Sequence, residues 1–397
     1  MKAEMFTDRL KTAEWLVRPE TQELMGLLDG ARGRTRAVGG IVRDTLLNRP
    51  RLGTDIDFAT ELMPHEVALR AERGGATVYP TGVEHGTLTI RLGGLVAEVT
   101  TLREDVATDG RRAVVKFGHD WTRDAGRRDF TLNALYAGMD GDLFDPLDGL
   151  DDCMAGRVRF IGDPVQRIEE DRLRVYRFFR FSASHGGEVF DPAGLDACRA
   201  FAGKLAAVSA ERVGAEFRRM LALPRIGTTL KTMGEAGLLA LSEETLRLLY
   251  GYERRALRPD LSARLALVMA ETGPKKLQAL WRLSNDDIGA AGTILATAAL
   301  VREFRLNEAA YRYPAALVDG IDVAAVTAGW TDAGRLAVIE QLQSLDVPVF
   351  PLGGGDLVRL GMSPGKPLGD ELERLEQAWI ESGFALQKDQ LLAMARR

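Results

Sequence analysis

Residues 37–60, AVGGIVRDTLLNRPRLGTDIDFAT, constrain the fold more than any other stretch of the chain. An apolar strand end runs into Gly39-Gly40, and Ile41 to Asn48 then reads as a short helix. Pro50 and Gly53 break that helix, and Asp55-Ile56-Asp57-Phe58 returns as a strand. Alternate residues of a strand face one side, so Asp55 and Asp57 share a face while Ile56 and Phe58 point to the other. Two neighbouring carboxylates repel unless a cation joins them, and hard cations such as Mg²⁺ prefer carboxylate and phosphate oxygen. A Gly-Gly turn at a helix N-terminus lets backbone N–H groups approach a phosphate, and Arg43 in the first turn adds a charge-assisted contact. Each feature alone also reads as a turn, a surface arginine or a solvated acidic edge. Together they fit a metal-bound triphosphate, because carboxylates on an otherwise apolar strand are costly without a partner.

The rest of the first 140 residues supplies more candidates. Pro64 to Arg73 reads as a helix with a proline start. Thr87 to Leu92 alternates, Gly93-Gly94 forms a two-residue turn, and Leu95 to Leu102 alternates again, which predicts a hairpin. If Leu92 faces Leu95, Glu98 lies opposite Thr89. Glu98 is then either an exposed edge residue or a third acid beside Asp55 and Asp57. Arg103 to Gly126 is polar and charge-dense and reads as a mobile loop with a short strand at Val114–Phe117. Arg127 and Arg128 follow it, either solvated or clamping phosphate or sugar.

From Asp145 the pattern changes. DPLDGLDDCMAGRVRFIGDP is turn-rich, and beyond it the chain reads as almost wholly helical. A helix is expected over Glu169–Ser184, EEDRLRVYRFFRFSAS, with apolar residues over most of its circumference and so largely buried. Its Asp171 and Arg174 are three apart and could simply pair. They could also read a base. Cytosine and adenine both present an exocyclic amino donor beside a ring-nitrogen acceptor, which a carboxylate and a guanidinium complement. Uracil and guanine reverse that order. Arg177 and Arg180, further along, would reach phosphate or hold the pair in place. The remaining helices run to about Gln343, with breaks near Pro224, Pro259, Gly273-Pro274 and Pro314, and a last helix carries Leu372, Leu375 and Trp379 on one stripe.

Composition narrows the class. Hydrophobic residues make up 46% of the 397 and charged residues 27%, as in globular proteins. The sequence has no apolar run of membrane-spanning length and no apolar signal segment near its start, so no membrane association is expected. Two cysteines exclude a disulfide framework and fit a reducing, cytoplasmic setting. Net charge is −5, so any nucleic acid must meet a local basic surface.

GGIVRD with DID, then AEVTTLR, RRDFTLNA and EDRLRVYRFFRF, together with DPLDGLDD and SAERVGAEF, resembles the class II tRNA nucleotidyltransferase and bacterial poly(A) polymerase family from about residue 37 to 220. The C-terminal PLGGGDLVRLGMSPGKPLGDELERLEQAW also looks like the tail of these enzymes. The resemblance implies an α+β fold: a polymerase β-like nucleotidyltransferase head with a small mixed sheet, followed by helical parts. On this chain these are a head over residues 1–140, a neck with the base-reading helix over 141–205, a body over 206–305 and a tRNA-binding tail over 306–397. It implies that Gly39, Gly40, Arg43 and Arg128 bind the nucleotide, that Asp55 and Asp57 hold Mg²⁺, and that Glu98 completes the catalytic carboxylates. Asp171 and Arg174 would read the base, supported by Arg177 and Arg180. The implied reaction is template-independent addition of CCA to the tRNA 3′ end from CTP and ATP, releasing pyrophosphate. Poly(A) or A-only addition, and a catalytically inactive RNA-binding protein on the same fold, are the rivals. Some relatives carry a phosphohydrolase domain with paired His–Asp motifs; only His119-Asp120 forms such a pair here, so none is expected.

Overall fold

In the computed structural model, residues 2–49, 55–109 and 112–396 are described, with side chains from residue 6 onward except over 104–116. Pro50 and Gly53, read as helix breakers, lie outside the described residues. The chain folds into two compact units. One takes the chain up to Val208 together with Glu235–Leu238; the other takes Ser209–Gly234 and the chain from Leu239 onward.

The first unit is built on a seven-stranded mixed sheet. Its strands are β1 (Thr35–Val38), β2 (Asp55–Thr60), β3 (Thr77–Gly82), β4 (Thr87–Leu92), β5 (Leu95–Thr101), β8 (Tyr136–Ala137) and β9 (Leu143–Phe144), in the order β3-β4-β5-β2-β1-β8-β9. β6 (Arg103–Asp109) and β7 (Arg112–Phe117) form a separate antiparallel ribbon. The strand expected at Val114–Phe117 lies within β7, while the rest of the segment read as loop adds β6 and a helix, Trp121–Gly126. Asp120 caps that helix by accepting from the Thr122 and Arg123 N–H groups, a local signal available to a short Asp-led turn.

The β4–β5 hairpin has the expected register: Leu92 faces Leu95 and Thr89 faces Glu98 across Gly93-Gly94. β5 then pairs parallel with β2, matching Asp57 with Glu98. One face of the sheet buries Ala37, Ile56, Phe58 and Ile90. The other carries a second cluster in which Val38, Ala59, Leu102, Trp121, Ala125, Ala134, Tyr136 and Ile161 pack together.

Helices α1 (Lys2–Lys11), α2 (Glu14–Val17), α3 (Pro19–Leu27), α4 (Gly40–Leu46), α5 (Pro64–Arg73), α6 (Trp121–Gly126), α7 (Gly149–Ala155), α8 (Pro164–Glu170), α9 (Leu173–Ser184) and α10 (Pro192–Ala200) complete this unit. The single helix expected over Glu169–Ser184 is two. Asp171 sits in extended backbone at φ −148° and ψ 103° and ends α8; α9 restarts after Arg172. The Asp171 carboxylate accepts from the Leu173 N–H at 3.1 Å, a local turn bond across the break. α9 is largely buried, with Leu173, Val175, Tyr176, Phe178, Phe179, Phe181 and Ser182 inside. Phe178 stacks on Phe160 at 5.5 Å and contacts Phe130 at 6.3 Å.

The described residues of the second unit are helical, from Ala210–Leu221 to Lys388–Met394. Helices end at Leu221, Arg255, Thr272 and Arg312, beside the breaks expected near Pro224, Pro259, Gly273-Pro274 and Pro314, and one ends at Gln343; those ending at Glu235, Trp281, Arg302 and Thr327 were not expected. The Leu375 and Trp379 stripe is buried with Leu352, Leu357, Ile380 and Leu391. The helix Lys388–Met394 follows it, so that stripe does not belong to the last helix. Among the described residues no helix is long and apolar enough to cross a membrane.

Candidate nucleotide site

The site begins where β1 ends. Gly39 takes φ +75° and ψ −129°, a conformation strained for any L side chain, and its N–H donates to the Leu135 carbonyl at 3.1 Å. A Cβ added there would lie 3.8 Å from both Arg128 Nη1 and the Asn133 carbonyl. The turn is therefore closed in by the segment 128–135, which leads into β8 beside β1. Gly40 opens α4.

Asp55, Asp57 and Glu98 lie on one face of neighbouring strands, since β2 and β5 run parallel with Asp55 opposite Val96 and Asp57 opposite Glu98. Ile56 and Phe58 are buried on the reverse face at 2% and 1% exposure. The β1–β2 register pairs Ala37 with Phe58. Continued by one residue, it sets Val38 beside Asp57, and Val38 pairs in turn with Tyr136 on β8. One cross-strand row thus runs Glu98, Asp57, Val38, Tyr136. Tyr136 accepts from Arg128 Nε at 3.2 Å and donates to Asp124 at 3.1 Å. The acids and Arg128 are consequently brought to one face of the sheet, beside the glycine turn.

The carboxylates disturb one another. Partial burial, followed by repulsion from Asp57 and then Asp55, raises the Glu98 carboxyl above its ordinary range. A divalent cation would relieve that repulsion. Among the described residues no three acid, His or Cys side chains converge as a protein-only cage would require. Asp55 and Asp57 could hold a hard divalent cation together with the oxygens of a bound phosphate.

Arg43 is buried at 6% exposure. Its Nε and Nη2 meet Asp44 Oδ1 at 2.8 Å, and its Nη1 donates to Asn133 Oδ1. Asn133 Nδ2 donates to Asp129 Oδ1 at 3.0 Å, and Arg177 Nε donates to Asp129 Oδ2 at 2.7 Å. Burial opposes ionisation of Asp129, but Arg177, the Asn133 amide and the Phe130 N–H outweigh it and hold the carboxyl below its ordinary value. A continuous polar chain thus links Arg43 on α4 to Arg177 on α9. Phe181 joins the same groups from the apolar side: the guanidinium carbons of Arg43, Arg177 and Arg180 lie 5.2, 5.3 and 4.1 Å from its ring centre.

Arg174 is engaged differently from the simple pair the spacing allowed. It donates to Glu170 Oε2 at 2.7 Å, to the Arg167 carbonyl at 2.7 Å and to the Arg127 carbonyl at 3.2 Å. Glu170 also pairs with Arg167, whose Nη2 donates to the Arg128 carbonyl at 2.6 Å. Arg174 is therefore tied to the backbone next to Arg128, with Asp171 three residues before it at the helix break. Asp129, Asn133, Tyr136, Glu170 and Phe181 were not singled out from sequence. Only Asp129 and Asn133 had a local signal, being polar residues within the apolar stretch DFTLNALYA.

Comparison with known proteins agrees with this architecture. The poly A polymerase head domain model matches residues 35–159, and a model described as a probable RNA and SrmB-binding site of polymerase A matches residues 190–246. The mitochondrial CCA tRNA nucleotidyltransferase 1 of Mus musculus is 32% identical, across 99% of this chain and 91% of that protein. The CCA-adding enzyme of Leuconostoc citreum is 29% identical, across 95% of each. The crystal structure of Bacillus stearothermophilus CCA-adding enzyme in complex with CTP is similar at a TM-score of 0.75 and 27% identity, covering 95% of this chain and 97% of that one. Identity at this level over nearly the whole length of both chains means that this protein belongs to the tRNA nucleotidyltransferase and poly(A) polymerase family and is a nucleotidyltransferase.

Proposed function

We propose that this protein adds CCA to the 3′ end of tRNA from CTP and ATP, without a nucleic-acid template and with release of pyrophosphate. The observation that carries the reading is the pairing of Asp57 with Glu98 beside Asp55, in the same cross-strand row as the Tyr136 that grips Arg128. The family and its CCA-adding relatives supply the substrate class.

Asp55 and Asp57 would hold Mg²⁺ against the triphosphate. When bound, the cation neutralises developing charge on the phosphate and favours the deprotonated attacking hydroxyl. The chain's own groups do the rest. The turn at Gly39 exposes the first N–H groups of α4, from Gly40 on, to the phosphates, Arg128 adds a guanidinium from the facing segment, and Arg43 contributes positive charge from a buried seat. Glu98, with its raised carboxyl, is suited to accept a proton from the 3′-hydroxyl of the RNA. Asp171 and Arg174 read the amino donor and ring-nitrogen acceptor shared by cytosine and adenine. Glu170 orients Arg174, while Arg177 and Arg180 support it around Phe181.

Residues 1–140 would act as catalytic head, 141–205 as base-reading neck, 206–305 as body and 306–397 as a tail holding tRNA. Cys153 and Cys198 are both free and buried, in keeping with a reducing, cytoplasmic compartment. The deciding experiment incubates the protein with tRNA lacking its 3′ CCA and labelled CTP and ATP. Two C additions followed by one A are expected; failure to add C overturns the reading in favour of A-only or poly(A) addition.

A further inference from the structure

His185 lies just beyond α9, and its ring reaches back to the helix that follows the glycine turn. Its Nε2 is 3.2 Å from Asp44 Oδ1, the same oxygen that receives Arg43 Nε and Nη2 at 2.8 Å. Its Nδ1 is 2.7 Å from Ser184 Oγ, and its side chain is 10% exposed. A carboxylate only accepts, so His185 must present Nε2–H to Asp44; Nδ1 then accepts from the Ser184 hydroxyl. Burial, aided by the nearby Arg43 and Arg49, lowers the imidazole below its ordinary value despite the opposing pull of Asp44, so the ring is neutral near pH 7. The other charged or titratable groups around this contact are Arg49, whose Nη1 donates to the Ser184 carbonyl at 2.6 Å, and Cys153 and Asp145 beside the Arg43–Asp44 pair.

Asp44 is thus fixed from two sides, and the guanidinium it holds is the one that supports Asn133 behind the glycine turn. We infer that His185 is a positioning residue for nucleotide binding: by donating to Asp44 it fixes the rotamer of Arg43, and so the positive charge beneath the phosphate turn. This rests on the reading of Arg43 given above. His185 touches no substrate in this scheme and acts only through Asp44.

Two substitutions separate positioning from packing. Gln at 185 keeps an N–H donor at about the reach of Nε2 and loses the ring. Phe keeps the ring, which lies 5.6 Å from Phe181 in the native protein, and loses the donor. The experiment measures KM and kcat for CTP with tRNA lacking its CCA, along with Tm, for His185→Gln, His185→Phe, Arg43→Ala and the double variant His185→Phe/Arg43→Ala. His185→Phe is expected to raise KM for CTP about tenfold, as loss of a hydrogen bond to a charged group does, with kcat nearly unchanged. His185→Gln should stay within about twofold of the native protein, and the Phe effect should vanish in the Arg43→Ala background. Rescue by Phe rather than Gln, equal loss in both with a lowered Tm, or additive effects in the double variant would each overturn the inference. An Arg43→Ala variant with native KM would instead overturn the reading of Arg43, whatever His185 does.

Discussion

Asp57 and Glu98 are direct partners across the parallel β2–β5 pair, two carboxylates side by side on one face of the sheet. Like charges directly opposite destabilise a sheet, so the pairing calls for a function rather than a structural account. Asp57→Ala should lower CMP and AMP incorporation by at least about a hundredfold while leaving Tm unchanged or raised. Unchanged incorporation into tRNA lacking its CCA would refute the carboxylate assignment.

Glu98 gives a thermodynamic counterpart. Its folded carboxyl is raised, so ionisation costs stability in the protein without nucleotide, and that cost is relieved as pH falls through the folded value. Glu98→Gln is expected to raise Tm at pH 7 in the absence of nucleotide and metal, and to remove most nucleotide addition. A lower Tm in this variant would mean that Glu98 is stabilised by contacts other than those that raise it.

The Asp129–Arg177 pair is a structural strut as well as part of the site. The Asp129 side chain is 9% exposed and that of Arg177 30%. Replacing Arg177 by Leu leaves a buried carboxylate without its ion-pair partner and should cost about 3 kcal/mol, read by urea unfolding. The Asp129 carboxyl is depressed, so its contribution is fully present above about pH 4 and lost as pH falls through the folded value. Asp129→Asn should therefore flatten the dependence of Tm on pH below about 4, with little change in that dependence above it.

Base choice tests the helix break. On the proposed reading, Asp171→Ala should admit UTP and GTP at a measurable rate in single-nucleotide addition assays, because a base-reading carboxylate there would reject their reversed donor order. Glu170→Ala should instead raise KM for CTP and ATP together, since it frees Arg174 without altering the donor and acceptor pattern. Strict C and A selection in Asp171→Ala would remove Asp171 from the reading site.

The aromatic cluster beneath α9 sets its position. Phe178 is fully buried between Phe130 and Phe160, and a Cβ on Gly194 would come within 2.7 Å of its ring. Phe178→Ala should cost about 3–5 kcal/mol by chemical denaturation, because it leaves a cavity in a packed site with little room to collapse.

Local pattern alone determined the strand carrying Asp55 and Asp57, the Gly93-Gly94 hairpin that sets Glu98 opposite Thr89, the helix from Pro64 to Arg73 and the proline-marked helical breaks of the second half. These follow from period, turn chemistry and proline sterics, which act over a few residues. The alternation of β2 fixed which face its acids share, but not what lies beside them. Only the tertiary fold paired Asp57 with Glu98, because parallel pairing between β2 and β5 is a contact across 41 positions that no local signal carries. The same holds for the break at Asp171, where apolar periodicity favoured a continuous helix and the tie of Glu170, Arg167 and Arg174 to the backbone at 127–128 is satisfied in two. His185 and Asp44 lie 141 residues apart; in sequence each is one polar residue beside an arginine or a serine, and the contact through which His185 reaches Asp44, and Asp44 holds Arg43, exists only in the folded chain.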